Sequence, residues 1–445
     1  MVGAQPVART RLEQVIRQSR RTLREFCDDF RRASRELGES TVVSVRQVSR
    51  WMSGQIGGLP HPATCRVLEH MFGETAEELF GPPRRDVPAR RQASGPDRQD
   101  EVDTSIESEV AMAAAESARF GQFAEQSNVG PHTLEQFRAD VARIVTTYPN
   151  RPVFPLFVEL RELRDRAFDA LEGRQRPAEA SELYLITGVV CGALANASFD
   201  LGQLAAAETQ ARTAFLCAEL AGNDALRSWI RGTQSVIAYW DDRCRDAVEL
   251  AADGWRYVPE SGTARVRLAA IEARAHARLR DARASEEALA RAERAREEVT
   301  GVDLPGGLME FPVAKQTWYG ATARLWLGDP ANLGRAERAA SEAVELYRQD
   351  PPEQRRIGEL CLARLDVAVA RLGQENLEGA AEEIGEVLSV ASRRRTDSVV
   401  RRLGQLTGAL QRPRFQTAAL ATDLRDQIGA FCAAPAVPAL PEGVR

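Results

Sequence analysis

Residues 44–83, SVRQVSRWMSGQIGGLPHPATCRVLEHMFGETAEELFGPP, decide how the chain is read. Ser44 is suited to cap a helix that runs to Ser53, with Gly54 as its stop. At helical spacing Val45, Val48 and Trp51 to Met52 fall inward, which leaves Arg46, Gln47, Ser49 and Arg50 outside. A turn bounded by Pro60 and Pro62 follows, then the apolar helix RVLEHMF and a short acidic helix closing on Leu79 and Phe80. Upstream, Arg9 to Ser19 forms a first helix with Leu12, Val15 and Ile16 on one face. Thr22 caps a second helix with Glu25 as capping-box partner; its stripe is Leu23, Phe26, Cys27 and Phe30, and Gly38 ends it. The outward residues of 44–53 suit DNA. Arginine grips guanine bidentately, glutamine grips adenine, and a helix N-terminus carrying Ser44 favours phosphate. The same residues also make an ordinary solvated helix face.

The chain has 445 residues, 44% apolar and 28% charged, a composition of globular domains, and its length predicts two or three of them. No run of about 18 apolar residues is present and Met1 to Gln14 lacks an apolar leader core, so the expectation is a cytoplasmic protein with no membrane span. Seven cysteines without a CxxC pair fit reduced thiols. Lys315 is the only lysine. Residues 1–100 carry a net charge of +4 and the remainder −9, a mildly basic head on an acidic body.

Residues 82–103, rich in Pro, Arg, Gln and Asp, read as a flexible linker whose Arg84, Arg85, Arg90 and Arg91 are in reach of phosphates. From 104 onward the pattern is helical. Residues 104–180 read as a connector, and 181–431 as helical hairpins with turns DLGQL (200–204), WDDRC (240–244), RLRDA (278–282), WLGDP (326–330) and RLGQE (371–375). Spacings near forty residues predict stacked hairpins. Ala195, Ser235, Ala273 and Ala321, seven residues before the turn position, would permit close helix approach, as would Ala207 and Ala247. Helices at 396–411 and 415–431 would cap the stack, and 432–445 reads as a disordered tail.

The string S-x-R-Q-V-S-R-W-x-x-G, then P-H-P, RVLEHMFG and EELF, resembles the lambda-repressor-like helix-turn-helix family of the xenobiotic-response-element type. The resemblance implies Arg46, Gln47 and Arg50 in the major groove and Trp51, Leu68, Phe72 and Leu79 in the core. The chain departs from the family in a longer second helix and a longer Gly38–Val43 connection. The LG turns and alanine pattern of about 181–393 resemble tetratricopeptide repeats, with units longer than usual. Head, linker and repeats together resemble the repeat-containing transcriptional regulators of actinobacteria, which implies a role in developmental or secondary-metabolite control.

No GxSxG, Walker-type loop or GxGxxG is present, so no enzyme and no cofactor are expected. His61, Cys65 and His70 have poor zinc spacing, and no metal is expected. The first helices of stacked hairpins line a concave surface. Asn196, Trp229, Tyr239, Arg267, Arg274, Lys315, Trp318 and Thr322 fall at or near inward positions. Asparagine beside basic and aromatic groups suits a peptide carboxylate; the aromatics equally suit packing between repeats. The expectation is therefore an all-α protein, with residues 1–81 a DNA-binding head. It would bind double-stranded DNA as a homodimer on half-sites about one helical turn apart. Its repeats would sense a peptide or small-molecule effector or dock a partner. The alternative is a protein-interaction scaffold whose head has lost specific DNA binding.

Overall fold

The structure, a computed structural model, describes residues 8–19, 21–53, 59–83, 110, 112–120 and 126–434. The Gly54 stop, residues 84–103 of the linker with its four arginines, and residues 435–445 of the tail lie outside the described residues, while Cys432 and Ala433, read as disordered tail, belong to the last helix. All regular structure among the described residues is helical. The chain divides into two compact units, Met1–Glu107 and Ser108–Arg445.

The first unit contains α1 (Arg11–Gln18), α2 (Leu23–Glu36), α3 (Val45–Met52), α4 (Pro62–Phe72) and α5 (Ala76–Phe80). Each start has a chemical cause. The Thr10 hydroxyl accepts from the Glu13 amide at α1. Thr22 with Glu25 and Thr75 with Glu78 form reciprocal capping boxes at α2 and α5. Pro62 occupies the first turn of α4, where its missing N–H costs nothing. Leu12, Phe26, Phe30, Val48, Trp51, Val67, Leu68 and Leu79 make one core. Trp51 meets Phe80 edge to face at 5.8 Å between centroids. Val45, expected inward, is exposed. It sits in the first turn of α3, ahead of where the helix reaches the core that Val48 and Trp51 enter.

In the second unit α6 (112–120), α7 (Pro131–Thr147) and α8 (Val153–Glu172) precede five helical hairpins. The pairs are α9 (Pro177–Asp200) with α10 (Leu204–Leu220), α11 (Asp224–Trp240) with α12 (Cys244–Trp255), and α13 (Ala264–Arg278) with α14 (Ala282–Glu297). They continue with α15 (Val313–Leu327) and α16 (Pro330–Gln349), then α17 (Ile357–Gly373) and α18 (Leu377–Val390). α19 (Asp397–Leu410) and α20 (Ala419–Ala433) close the unit. Each hairpin turns on one left-handed residue: Gly202, Asp242, Arg280, Gly328 and Glu375. A side chain there strains the backbone by roughly 1–2 kcal/mol, so glycine is the unstrained choice. Only two of the five turns take it. The last turn lies at Glu375, because α17 continues through Gly373.

Ala195, Ser235, Ala273 and Ala321 are fully buried, as are Ala207 and Ala247. Gly192 serves the same end, since a Cβ there would lie 2.7 Å from the Trp229 ring. The first helices contact one another in order, α9 to α11, α13, α15, α17 and α19, and α19 returns to touch α9. The row of inner helices therefore closes on itself. Asp200 binds Arg394 at 3.0 Å across this closure, Tyr148 donates to Asp200 at 2.9 Å, and Arg401 donates to the Trp240 carbonyl at 3.1 Å. Pro177–Asp200 is long and apolar enough to cross a bilayer, yet most of it is buried among its neighbours. Its all-round apolar surface is that of a core helix.

Candidate functional site

Two places gather chemically expressive residues, one in each unit. In the first unit the α3 backbone starts where the Ser44 hydroxyl accepts from the Gln47 amide at 3.3 Å. Val48 and Trp51 fix the helix to the core. Ser44, Arg46, Gln47, Ser49 and Arg50 are all exposed, and Ser44, Arg46, Gln47, Arg50 and Trp51 line a shallow hollow of about 560 Å³. Among the described residues six arginines of this unit are tied: Arg11 to Glu74, Arg17 to Glu13, Arg21 and Arg32 to Asp29, Arg31 to Asp28, Arg66 to Glu39. Arg46 and Arg50, one turn apart, have no ion pair or hydrogen bond to their side chains among the described residues. A helix face with two free guanidiniums and a free amide is equipped to contact phosphates or base edges.

The connection ahead of α3 is longer than a tight turn, but it is anchored. The Glu39 amide donates to the Ser34 carbonyl at 2.8 Å, and the Ser34 hydroxyl donates to the Glu39 carbonyl at 2.9 Å. Thr41 and Thr64 share a hydrogen bond at 3.2 Å, Arg66 grips Glu39 at 2.6 Å, and Val43 is buried. These contacts fix the angle at which α3 is presented. His61 and Cys65 have structural work: His61 Nδ1 accepts from the Ala63 amide at the start of α4, and Cys65 Sγ donates to the Pro60 carbonyl at 3.3 Å. Burial pushes the Cys65 thiol up, away from the thiolate a metal would need.

The second place is the space enclosed by the inner helices. Tyr239, Arg274, Trp318 and Thr322 line a cavity of about 350 Å³ together with Trp240, Trp326 and Asp366. Asn196, Arg267, Lys315 and Trp318 line a smaller neighbouring one of about 90 Å³. Trp240 and Trp318 belong to both. Seven of the eight concave-surface residues read from the sequence thus converge. Trp229 lies apart, 2% exposed, on the wall of a third cavity with Ile186 and Leu226, and its carbonyl accepts from Arg267 at 2.9 Å. Burial pulls the Arg267 guanidinium down to about 10, which leaves it charged at neutral pH. Helical spacing explains the convergence. Arg267, Arg274 and Arg278 stand at i, i+7 and i+11 on α13, and Lys315, Trp318, Thr322 and Trp326 follow one stripe of α15.

Two carboxylates, Asp366 buried and Glu359 partly buried, organise these walls. Asp366 of α17 accepts from Trp318 Nε1 at 3.1 Å, from the Thr322 hydroxyl at 2.5 Å and from Arg402 Nε at 2.9 Å. Glu359, two turns earlier on α17, binds Lys315 at 2.6 Å and accepts from the Tyr347 hydroxyl at 2.8 Å. Burial alone would raise the Glu359 carboxyl, but Lys315 and Arg356 outweigh it and hold it at about 2. A depressed carboxyl contributes stability above its unfolded value, near 4.5, and loses it as pH falls through the folded value. Wild type should therefore lose on the order of 3 kcal/mol between about pH 4.5 and 2 that Glu359→Gln does not lose. Urea midpoints measured across that range for both proteins check this; parallel curves would refute it. Burial raises Asp200, which faces the same small cavity, and the Glu359 charge adds to this, so the comparison is made in an Asp200→Asn background.

Sequence reasoning missed Asp366, Glu359, Arg278, Trp326 and Arg402. Asp366 had a signal: it is the one acid in the apolar stretch CLARLDVAVARL, residues 361–372. A lone carboxylate inside such a stripe needs a buried partner. Among known proteins the chain matches no family model and no curated sequence.

Proposed function

We propose that the chain is a DNA-binding transcriptional regulator. In this reading its first unit is a helix-turn-helix head with α3 as recognition helix, and its stacked hairpins are a tetratricopeptide-like sensor of a peptide or small-molecule effector. The observation that carries the reading is the exposed α3 face, where Arg46, Gln47 and Arg50 have no side-chain partner among the described residues, while six other arginines of the unit are bound to carboxylates. The protein would act as a dimer on paired half-sites, and effector binding among the inner helices would shift the populations of its DNA-binding states.

The test is a mobility-shift titration on duplexes selected from a random-sequence pool by the full chain. Arg46→Ala with Arg50→Ala is expected to weaken retention at least thirtyfold, because each base or phosphate contact contributes about 1–3 kcal/mol. Both positions are exposed, so circular dichroism should be unchanged. Failure to enrich or retard any duplex at low salt would leave the protein-interaction scaffold as the better account.

A further inference from the structure

Four arginines line the larger cavity: Arg274, Arg278, Arg401 and Arg402. Arg278 is bound by Asp242, Arg401 by Asp397 and Arg402 by Asp366. Arg274 has no ion-pair partner among the described residues, although it is only 2% exposed, and its Nε is buried without an acceptor. Its guanidinium carbon stands 4.1 Å from the Tyr319 ring centroid, 4.3 Å from that of Tyr239 and 5.5 Å from that of Trp318. Aromatic faces and the Tyr239 hydroxyl stabilise the cation, but no carboxylate is bonded to its N–H donors. Asp366 cannot bond them, since Trp318, Thr322 and Arg402 already occupy its oxygens. Burial opposes the charge, but Tyr239, Tyr319 and Asp366 outweigh it, so the cavity presents a cation with no carboxylate bonded to it. Three indoles, Trp240, Trp318 and Trp326, also line the cavity, beside Tyr239, Thr322 and Gln405.

We propose that this cavity binds a small aromatic carboxylic acid, with its carboxylate on Arg274 and its ring against the tryptophans. The inference names the effector chemistry and rests on the reading of the hairpin unit as a sensor. The charge balance selects an anion, because four cations meet three carboxylates. The planar donor fork of arginine matches a carboxylate, and indole walls match a flat ring. A free small acid fits better than a peptide terminus, because Arg274 exposes so little surface and the volume is about 350 Å³, the small end for ligand sites.

Calorimetric titration of the full chain tests this, with indoleacetate, its uncharged analogue indoleacetamide, and a tetrapeptide ending in tryptophan. Indoleacetate is expected to saturate the protein at least tenfold more tightly than the amide. Arg274→Gln should reduce the acid to the level of the amide. Gly404→Leu is the second variant: Gly404 lines the cavity on its exposed side, and a Cβ there meets nothing within 4 Å, so the backbone accepts a side chain at the mouth. It should abolish binding of the acid. Equal binding of acid and amide, no saturation by the acid, or binding of the peptide in its place overturns the proposal. So does undiminished acid binding by a folded Arg274→Gln or by Gly404→Leu. Retardation of selected DNA by the same preparation is a separate readout. Retained DNA binding without acid binding removes this inference alone; acid binding without DNA binding removes the regulator.

Discussion

Asp366→Ala is expected to lower the unfolding free energy of the hairpin unit by about 3–5 kcal/mol. The carboxylate is 2% exposed, and its loss strands three donors at once: Trp318 Nε1, the Thr322 hydroxyl and the Arg402 guanidinium. The largest part comes from Arg402, itself buried, which would keep a charge with no counter-ion. That attribution has its own check. Combining Asp366→Leu with Arg402→Met replaces a buried pair by apolar volume and should restore more than half of the loss. Urea unfolding followed by far-ultraviolet circular dichroism measures both. A cost under about 1 kcal/mol for Asp366→Ala would show that water enters to solvate Arg402.

Arg394→Ala should have a comparable effect, about 3–5 kcal/mol at neutral pH, and a distinctive pH dependence. Arg394 is 5% exposed, binds Asp200 at 3.0 Å and also donates to the Arg151 carbonyl, so it ties the end of the row of inner helices to its beginning. Burial already pushes the Asp200 carboxyl up, and Arg394 and Tyr148 only partly offset this. Without Arg394 the carboxyl rises further. A group with a raised folded pKa contributes stability below its unfolded value and loses it as pH rises through the folded one. The deficit of the variant should therefore shrink as pH falls toward 4. A deficit that stays constant with pH would mean that lost packing on Tyr148, 4.9 Å away, matters more than charge.

Much of the architecture was legible because it is local. Turn residues, caps and alanine spacing act within one hairpin, and the positions read for close approach, Ala195, Ser235, Ala273 and Ala321, are all buried. The start of α3 followed from Ser44 in the same way. The misses are non-local. Asp366 and Arg402 meet only because α19 comes back toward α9, and periodicity specifies neighbouring repeats but not how far the row curls. The concave residues were found as a stripe. Which of them is left unpaired, Arg274, depended on partners supplied by helices far along the chain.

The single lysine gives this protein an internal reporter. Lys315 lies in the smaller cavity, its ammonium held by Glu359 at 2.6 Å, and it is mostly shielded from solvent. Everywhere else the chain carries its positive side-chain charge as arginine or histidine, which amine-reactive reagents ignore. The rate at which such a reagent modifies this one side chain therefore measures how often the inner helices part. Peptide mapping reads that frequency at one residue, without an engineered label and in the presence of DNA or any added acid.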